Sequence, residues 1–551
     1  MALQGRRVRP EPGEDSRLVT FSSRLGAATA FQVPALSKFL APRAIFQEGW
    51  SFMDVAYIII PVLLILVVLA SVWLDRFSVP VILVALGAGI LFGSDVLNVW
   101  HFEDVTLTNQ VANLALVFIL FQGGLATKHG DFKAVALPAG GLATWGVMLT
   151  AATTFGLLWG ILGWSFEKSL LLAAIISSTD AAAIFSILRR QSLPPRLSST
   201  VEIESAANDP MAILLTMLAI ESLASGQSMG MSTVGVFLWK FSAGPAAGWL
   251  LARGAVILFN RLNPQDRGYY YVLLVGVVLL TFGVAEQLQA SGMLAVFTAG
   301  FVMGNSHFIY KQGVRNFSAA LATIANIGVF LLMGLLVFPS HWSSLWVEGL
   351  VLFAVLTFIA RPVAVWIGTL GMKMTNRERI FSSWAGLRGA VPIVLATYPL
   401  AAGMEVGDDV FNLVFFAVIL SVSIQGSTLG AVARWLKLSV PARPMQRYGL
   451  ELVAMAKSDL DLVVVDLPDP KGKPGPKIRE LQLPPGAVIT LITRDEQVLI
   501  PKGNTHLLGW DQVTVLARVV DEDLVRRALL SPFEQEPDPP VLSDSSGVQS
   551  V

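Results

Sequence analysis

The sequence predicts an all-α polytopic membrane protein of about thirteen transmembrane helices, with inverted repeats, two crossing interrupted helices (spans 5 and 12) and a small cytoplasmic α+β domain. Three observations lead there. Of 551 residues, 54% are hydrophobic and only 14% charged, where a soluble chain carries roughly 25% charge. The deficit is local: residues 55–439 hold 20 Lys/Arg and 18 Asp/Glu, whereas the much shorter stretch 440–551 holds 12 and 16. Apolar runs long enough for a hydrocarbon core about 30 Å thick then recur along the first stretch.

The same composition removes several functions. A formal net charge of zero gives no basic excess to neutralise phosphates, so nucleic acid is not an expected partner. With no cysteine there is no disulfide scaffold, thiol nucleophile or Cys-ligated metal. The five histidines fall singly at His101, His129, His307, His341 and His506, and neither a structural metal nor any cofactor is expected.

Taken in order, residues 1–52 read as a disordered or over-extended N-terminal segment, with Met53 as an alternative start. They contain Arg6, Arg7, Arg9, Arg17, Arg24, Lys38 and Arg43 and no signal-peptide core. The membrane domain spans 53–437, with apolar centres near 65, 87, 118, 148, 178, 211, 245, 277, 297, 330, 356, 390 and 424. Connections after the odd-numbered spans collect sixteen Lys/Arg, from Arg76 to Lys437, and the opposite connections only Lys168. The positive-inside rule therefore places the protein in the cytoplasmic membrane, surrounded by lipid, with the start of span 1 outside and the C-terminal domain in the cytoplasm.

Internal repetition supports the count. Ala88-Gly89-Ile90-Leu91-Phe92-Gly93 in span 2 recurs as Ala299-Gly300-Phe301-Val302-Met303-Gly304 in span 9. Val117-Phe118-Ile119-Leu120 in span 3 recurs as Val329-Phe330-Leu331-Leu332 in span 10, at offsets of 211 and 212. Spans thus map as n to n+7, and an odd shift inverts one copy across the membrane. Secondary transporters are built in this way, with the substrate site at the midplane on interrupted helices.

Ionisable groups in mid-span cost at least about 2.5–3.5 kcal/mol each, so they are the candidate site. Span 5 carries Ser177-Ser178-Thr179-Asp180, and span 6 carries Glu204-Ser205, then Asn208-Asp209-Pro210. A turn at Pro194-Pro195 lies midway between Asp180 and Asp209 and brings both aspartates to one depth. Ser205 and Asp209 share a helix face, with Glu204 and Asn208 on a face rotated by about 100°. Span 12 supplies Gly386-Leu387-Arg388-Gly389-Ala390-Val391-Pro392, a glycine- and proline-interrupted counterpart with a cation inside. A purely structural ion pair suits Glu204 with Arg388. It does not suit Asp180 and Asp209, whose two carboxylates outnumber the remaining local cations and point to transport. Arg361, before Pro362, reads as structural, and Lys240 reads as snorkelling to the interface.

Beyond a linker at 438–455, residues 456–533 form the small α+β domain, with β-rich runs at 462–465, 487–492 and 512–516 and a helix near 520–530. The Pro-, Asp- and Ser-rich stretch 534–551 reads as a disordered tail. Gly226-Gln227-Ser228-Met229-Gly230 matches a nucleophile-elbow pattern but follows no strand. No Ser/His or His/Glu metal constellation lies within the spans, which argues against an enzyme.

Together, Ser178-Thr179-Asp180, Glu204-Ser205 with Asn208-Asp209-Pro210, and Gly386-Leu387-Arg388-Gly389-Ala390 resemble the signatures of the monovalent cation:proton antiporter family 1. These are the NhaP-type sodium or potassium/proton exchangers, and the resemblance covers about residues 53–437. It implies exchange of K⁺ or Na⁺ for H⁺ by alternating access, in the service of pH and cation homeostasis. Asp209 would be the proton and cation carrier. Asp180, Ser205 and the Thr179 carbonyl would complete the cation shell, with Asn208, Glu204 and Arg388 in support. Asn208 before Asp209 resembles the electroneutral exchangers, and the family implies a homodimer. The C-terminal domain resembles a TrkA-C (RCK C-terminal) regulator, for which a cyclic dinucleotide is the suggested ligand at 456–533. Two departures stand out: Gln122 where relatives often have Asp, and Trp510 where TrkA-C domains have Gly. The rival reading, an ion channel gated by its cytoplasmic domain, lacks a filter sequence.

Overall fold

The computed structural model describes residues 52–74, 76, 79–97, 99, 104–127, 129, 138–180, 193–225, 231–262, 264, 266–372, 374–438, 460–468, 475–494 and 497–534. The chain divides after Tyr57 into two compact units, and residues 52–57 of the first are described, as the opening turns of α1 (Phe52–Leu74). The linker beyond Leu438, the Gly226–Gly230 motif and most of the N-terminal and C-terminal tails lie outside the described residues.

Helices follow in the order α2 (Val81–Phe92), α3 (Val105–Ala126), α4 (Pro138–Gly160), α5 (Phe166–Ile175), α6 (Pro195–Ser225), α7 (Met231–Arg261) and α8 (Gly268–Gln287). They continue as α9 (Gly292–Gly304), α10 (Lys311–Leu335), α11 (Trp342–Gly368), α12 (Asn376–Trp384), α13 (Ala390–Ala401) and α14 (Gly407–Trp435). Among the described residues nine helices are long and apolar enough to cross a membrane, with α2, α9 and α13 as shorter apolar helices beside them. Large apolar side chains such as Val72, Trp145, Ile161, Leu250, Val272 and Leu280 are exposed on these helices. In water that surface would be costly, whereas hydrocarbon solvates it.

The helices pack as two bundles. One contains α2, α3, α7, α8, α9 and α10, and the other contains α4, α5, α6, α11, α12, α13 and α14. In the first, α2 meets α10 where Gly89 and Gly334 abut, and α3 meets α9 where Gly124 lies against the backbone of Phe297 and Phe301 and Gly300 against that of Phe121 and Leu125. A Cβ on any of the four would overlap the facing backbone. The n to n+7 mapping exchanges these two contacts, as an inverted repeat requires. Wide π-helical turns also recur, at Leu142–Gly146 in α4 and Leu356–Ala360 in α11, which are repeat partners in the second bundle. On the end of that bundle where α5 begins, Lys168 joins α11 and α14 through Glu348 at 2.7 Å and Asp409 at 3.0 Å.

The C-terminal module is an antiparallel sheet of β1 (Leu460–Asp466), β2 (Val488–Arg494), β3 (Gln497–Leu499) and β4 (Gln512–Arg518) in the order β1-β4-β2-β3, covered by α15 (Glu522–Glu534). Leu460 pairs with Arg518 and Asp466 with Gln512, and a bulge between Ile489 and Leu491 shifts the β2–β4 register. Alternation along the strands sends Val463, Val465, Ile492, Val513 and Val515 into one core with Val525 and Leu529 of α15. Trp510 sits just ahead of β4 with φ +69°. That left-handed conformation explains why glycine would be the ordinary occupant.

Candidate functional site

Span 5 breaks where the sequence becomes polar. α5 ends at Ile175, the Ser177 hydroxyl turns back onto the Ala174 carbonyl at 2.7 Å, and Ser178, Thr179 and Asp180 are non-helical. Span 12 breaks in the same manner, with residues 385–389 non-helical between α12 and α13. The two breaks meet: the Asp180 N–H donates to the Leu387 carbonyl at 2.8 Å, and Arg388 Nη1 donates to the Ser178 carbonyl at 2.5 Å. Gly389 is the point of closest approach, because a Cβ there would overlap the Asp180 carboxylate.

The crossing compensates helix dipoles in both directions. Asp180 lies against Gly389, the N-cap of α13, where the positive dipole end favours an anion. Arg388 bonds a carbonyl just beyond the C-terminus of α5, where a cation is favoured. Each broken helix therefore receives from the other the charge that its own end calls for.

α6 closes the site from the side. Ser205 Oγ donates to the Thr179 carbonyl at 2.5 Å and accepts from Thr179 Oγ1 at 3.1 Å. Asn208 Nδ2 donates to Thr179 Oγ1 at 2.7 Å, and Asn208 Oδ1 accepts the Thr179 N–H at 3.3 Å. Donors and acceptors match around this ring, and Thr179, Ser205 and Asn208 are all buried. One turn on, Asp209 lies beside the Ser178 hydroxyl and within electrostatic range of Asp180. Both aspartates are partly accessible, unlike the sealed side chains around them. An array of two carboxylates, two hydroxyls and a carbonyl is an all-oxygen set suited to a hard cation.

The ion pair expected between Glu204 and Arg388 is instead made by Glu204 and Arg361, with Oε1 to Nη1 at 2.6 Å. The residues before Arg388 are not helical, so its guanidinium is spent on the Ser178 carbonyl, while helical Arg361 on α11 points at α6. Arg361 also donates to the Ser382 carbonyl at 3.3 Å. Lys240 reaches towards Glu221 at 3.6 Å.

A family model described as "Sodium/hydrogen exchanger, transmembrane" matches residues 62–435, about two thirds of the chain. The chain belongs to this sodium/hydrogen exchanger family. Among curated family members it is 36% identical over 485 residues to a K⁺/H⁺ antiporter, NhaP2, of Shewanella oneidensis, covering 86% of this chain and 82% of that one. It is 34% identical to a K⁺/H⁺ antiporter, NhaP, of Alkalimonas amylolytica, covering 87% and 84%. A Na⁺/H⁺ antiporter, NhaH, of Halobacillus aidingensis is 29% identical over 54% of this chain and 76% of its own. The first two alignments are longer than residues 1–435 allow, so they extend into the segment that holds the C-terminal module. The fold is similar to that of the solved sodium proton antiporter MjNhaP1 from Methanocaldococcus jannaschii. The TM-score is 0.63 at 21% identity, over 70% of this chain and 99% of that one.

Two residues beside this candidate site escape a reading of the sequence alone. Ser421 and Gln425 of α14 are buried against the break in span 12, where Ser421 Oγ accepts the Arg388 N–H at 3.1 Å. A serine and a glutamine in an apolar helix carry no charge to mark them. Their spacing of four, shared with Ser205 and Asp209, was the available signal.

Proposed function

We propose that the protein is an electroneutral monovalent cation/proton antiporter that exchanges K⁺ for H⁺ across the cell membrane by alternating access. The observation that carries this reading is the contrast in accessibility at the crossing. Asp180 and Asp209 are partly open, while Thr179, Ser205, Asn208, Glu204, Arg361 and Arg388 are sealed around them.

Asp209 is the carrier. Ionised, it joins Asp180, the Ser205 hydroxyl and the Thr179 carbonyl around a cation, and that carbonyl still has a lone pair to give beyond its bond from Ser205. Protonated, it loses the charge that holds the cation, so one site carries either a cation or a proton. Exchange of one for one follows, and the site is carried between the two faces by a rearrangement of the interrupted helices. K⁺ is favoured over Na⁺ because the relatives that align through the C-terminal segment are named K⁺/H⁺ antiporters, whereas the Na⁺/H⁺ antiporter aligns over 54% of the chain. The C-terminal module is read as a cytoplasmic TrkA-C-type regulator in a homodimer.

The test is cation-driven dissipation of a pH gradient in everted vesicles. Wild type should respond to K⁺, and Asp209→Asn should give no response at equal amounts of inserted protein, because an amide cannot trade a proton for a cation. Normal flux in the variant would remove Asp209 from the carrier role, and a response to Na⁺ alone would overturn the K⁺ assignment.

A further inference from the structure

In an unbroken helix the Arg388 N–H would bond to the Trp384 carbonyl, four residues back. The interruption of span 12 separates these two groups, and both lie in a region with no bulk water to satisfy them. Side chains of α14 complete the circuit. The Arg388 N–H donates to Ser421 Oγ at 3.1 Å, Ser421 Oγ donates to Gln425 Oε1 at 2.6 Å, and Gln425 Nε2 donates to the Trp384 carbonyl at 3.1 Å.

We propose that Ser421 and Gln425 are positioning residues for the cation site, a two-side-chain relay that replaces the missing backbone hydrogen bond and fixes the span 12 break. The polarity of the relay is determined. The one Ser421 proton goes to Gln425, which fixes the amide with its oxygen towards Ser421 and its nitrogen towards Trp384. Both residues are buried, and they start and nearly end the π-helical turn Ser421–Gly426, whose wide winding keeps residues four apart on one face.

Packing is incomplete on the α14 side of this segment. A cavity of about 10 Å³, bordered by Gly386, Arg388, Thr357, Ser421 and Gln425, leaves room there for about one water. Hydrogen bonds therefore help to set the position of the break on that side. That position matters for the cation, because Leu387 supplies the carbonyl that receives the Asp180 N–H and Gly389 abuts the Asp180 carboxylate. Ser421 and Gln425 touch no cation and act through the segment that seats Asp180.

This inference rests on the proposed exchange activity, and the two can fail separately. K⁺-dependent proton flux is measured in everted vesicles carrying the full chain, normalised to inserted protein, for wild type, Ser421→Ala, Gln425→Met, the double variant and Ser421→Thr. Each single loss should raise the apparent KM for K⁺ roughly fivefold, the scale of one lost hydrogen bond, with a smaller effect on kcat. Ser421→Thr keeps the hydroxyl and should stay near wild type. The double variant should be no worse than the worse single, because the two groups act in series. Unchanged KM in both single variants, or effects that multiply in the double, would overturn the relay. Should the apolar variants fail to insert, Ser421→Cys keeps the size and weakens the bonds, so a wild-type KM there would also overturn it. Absence of K⁺-dependent flux in the wild type would instead overturn the activity.

Discussion

Glu204 supplies the charge that allows Arg361 to remain in the interior, with the two side chains 1% and 5% exposed. Removing one partner of such a pair leaves a buried charge uncompensated, at a cost of about 3–5 kcal/mol. Glu204→Gln is therefore expected to lower the yield of folded protein sharply, and Glu204→Gln with Arg361→Gln should recover part of it. Combining Glu204→Gln with Arg388→Gln should recover less, since Arg388 is bonded to the Ser178 carbonyl. Equal recovery in the two double variants, scored as monodisperse protein after detergent extraction, would sink the Arg361 pairing. Polarity in spans 5 and 6 marked Thr179, Ser205 and Asn208 in the sequence, but helical spacing set Asn208 on a face apart from Ser205, whereas both bond to Thr179. The Arg361 pairing was not legible, because helical periodicity gives no direction for Arg388 on a stretch that is not a helix.

Helices and strands were readable where a period ran long enough. The break in span 5 and the break in span 12 were marked by Ser-Ser-Thr-Asp and by paired glycines, and both occur. β3 was missed because three residues, Gln497–Leu499, are too few to establish alternation. The turn into β4 shows a local sequence at odds with its backbone. Trp510 adopts φ +69°, its N–H donates to the Leu467 carbonyl at 3.1 Å, and the following Asp511 is fully buried in a two-oxygen ion pair with Arg494 at 2.8 and 2.7 Å. The ion pair and the strand pairing hold a residue that would otherwise leave the left-handed region. Trp510→Asn and Trp510→Val both remove the indole, but asparagine tolerates that region and a β-branched side chain does not. The valine variant should be less stable than the asparagine variant by about 1 kcal/mol, read from hydrogen-exchange protection of β1 and β4 in the full chain. Equal protection in the two would show that the turn can relax.

At the scale of the molecule, the repeat seen at offsets of 211 and 212 becomes two reciprocal contacts within one bundle, while the breaks meet inside the other. The bundles touch along α3 and α13, where Asn109 Nδ2 donates to Thr397 Oγ1 at 2.9 Å, Asn113 Nδ2 donates to Asn109 Oδ1 at 2.8 Å and the Tyr398 hydroxyl donates to Asn113 Oδ1. Alternating access requires these partners to separate if the bundles move past each other. The chain has no cysteine, so a pair introduced as Asn109→Cys and Thr397→Cys would be the whole thiol content. Bridging them with a short, reducible thiol crosslinker should stop exchange, and reduction should restore it. Continued exchange in the bridged protein would place the motion away from this seam.

The glycine contacts have the opposite character. At Gly89 and Gly334 between α2 and α10, and at Gly124 and Gly300 between α3 and α9, backbone lies on backbone with no side chain between. Glycine has no side-chain entropy to lose or regain, so these contacts bring no rotamer disorder to either state of the protein. Any difference in side-chain entropy between the two states must then originate elsewhere, in the seams where side chains exchange partners.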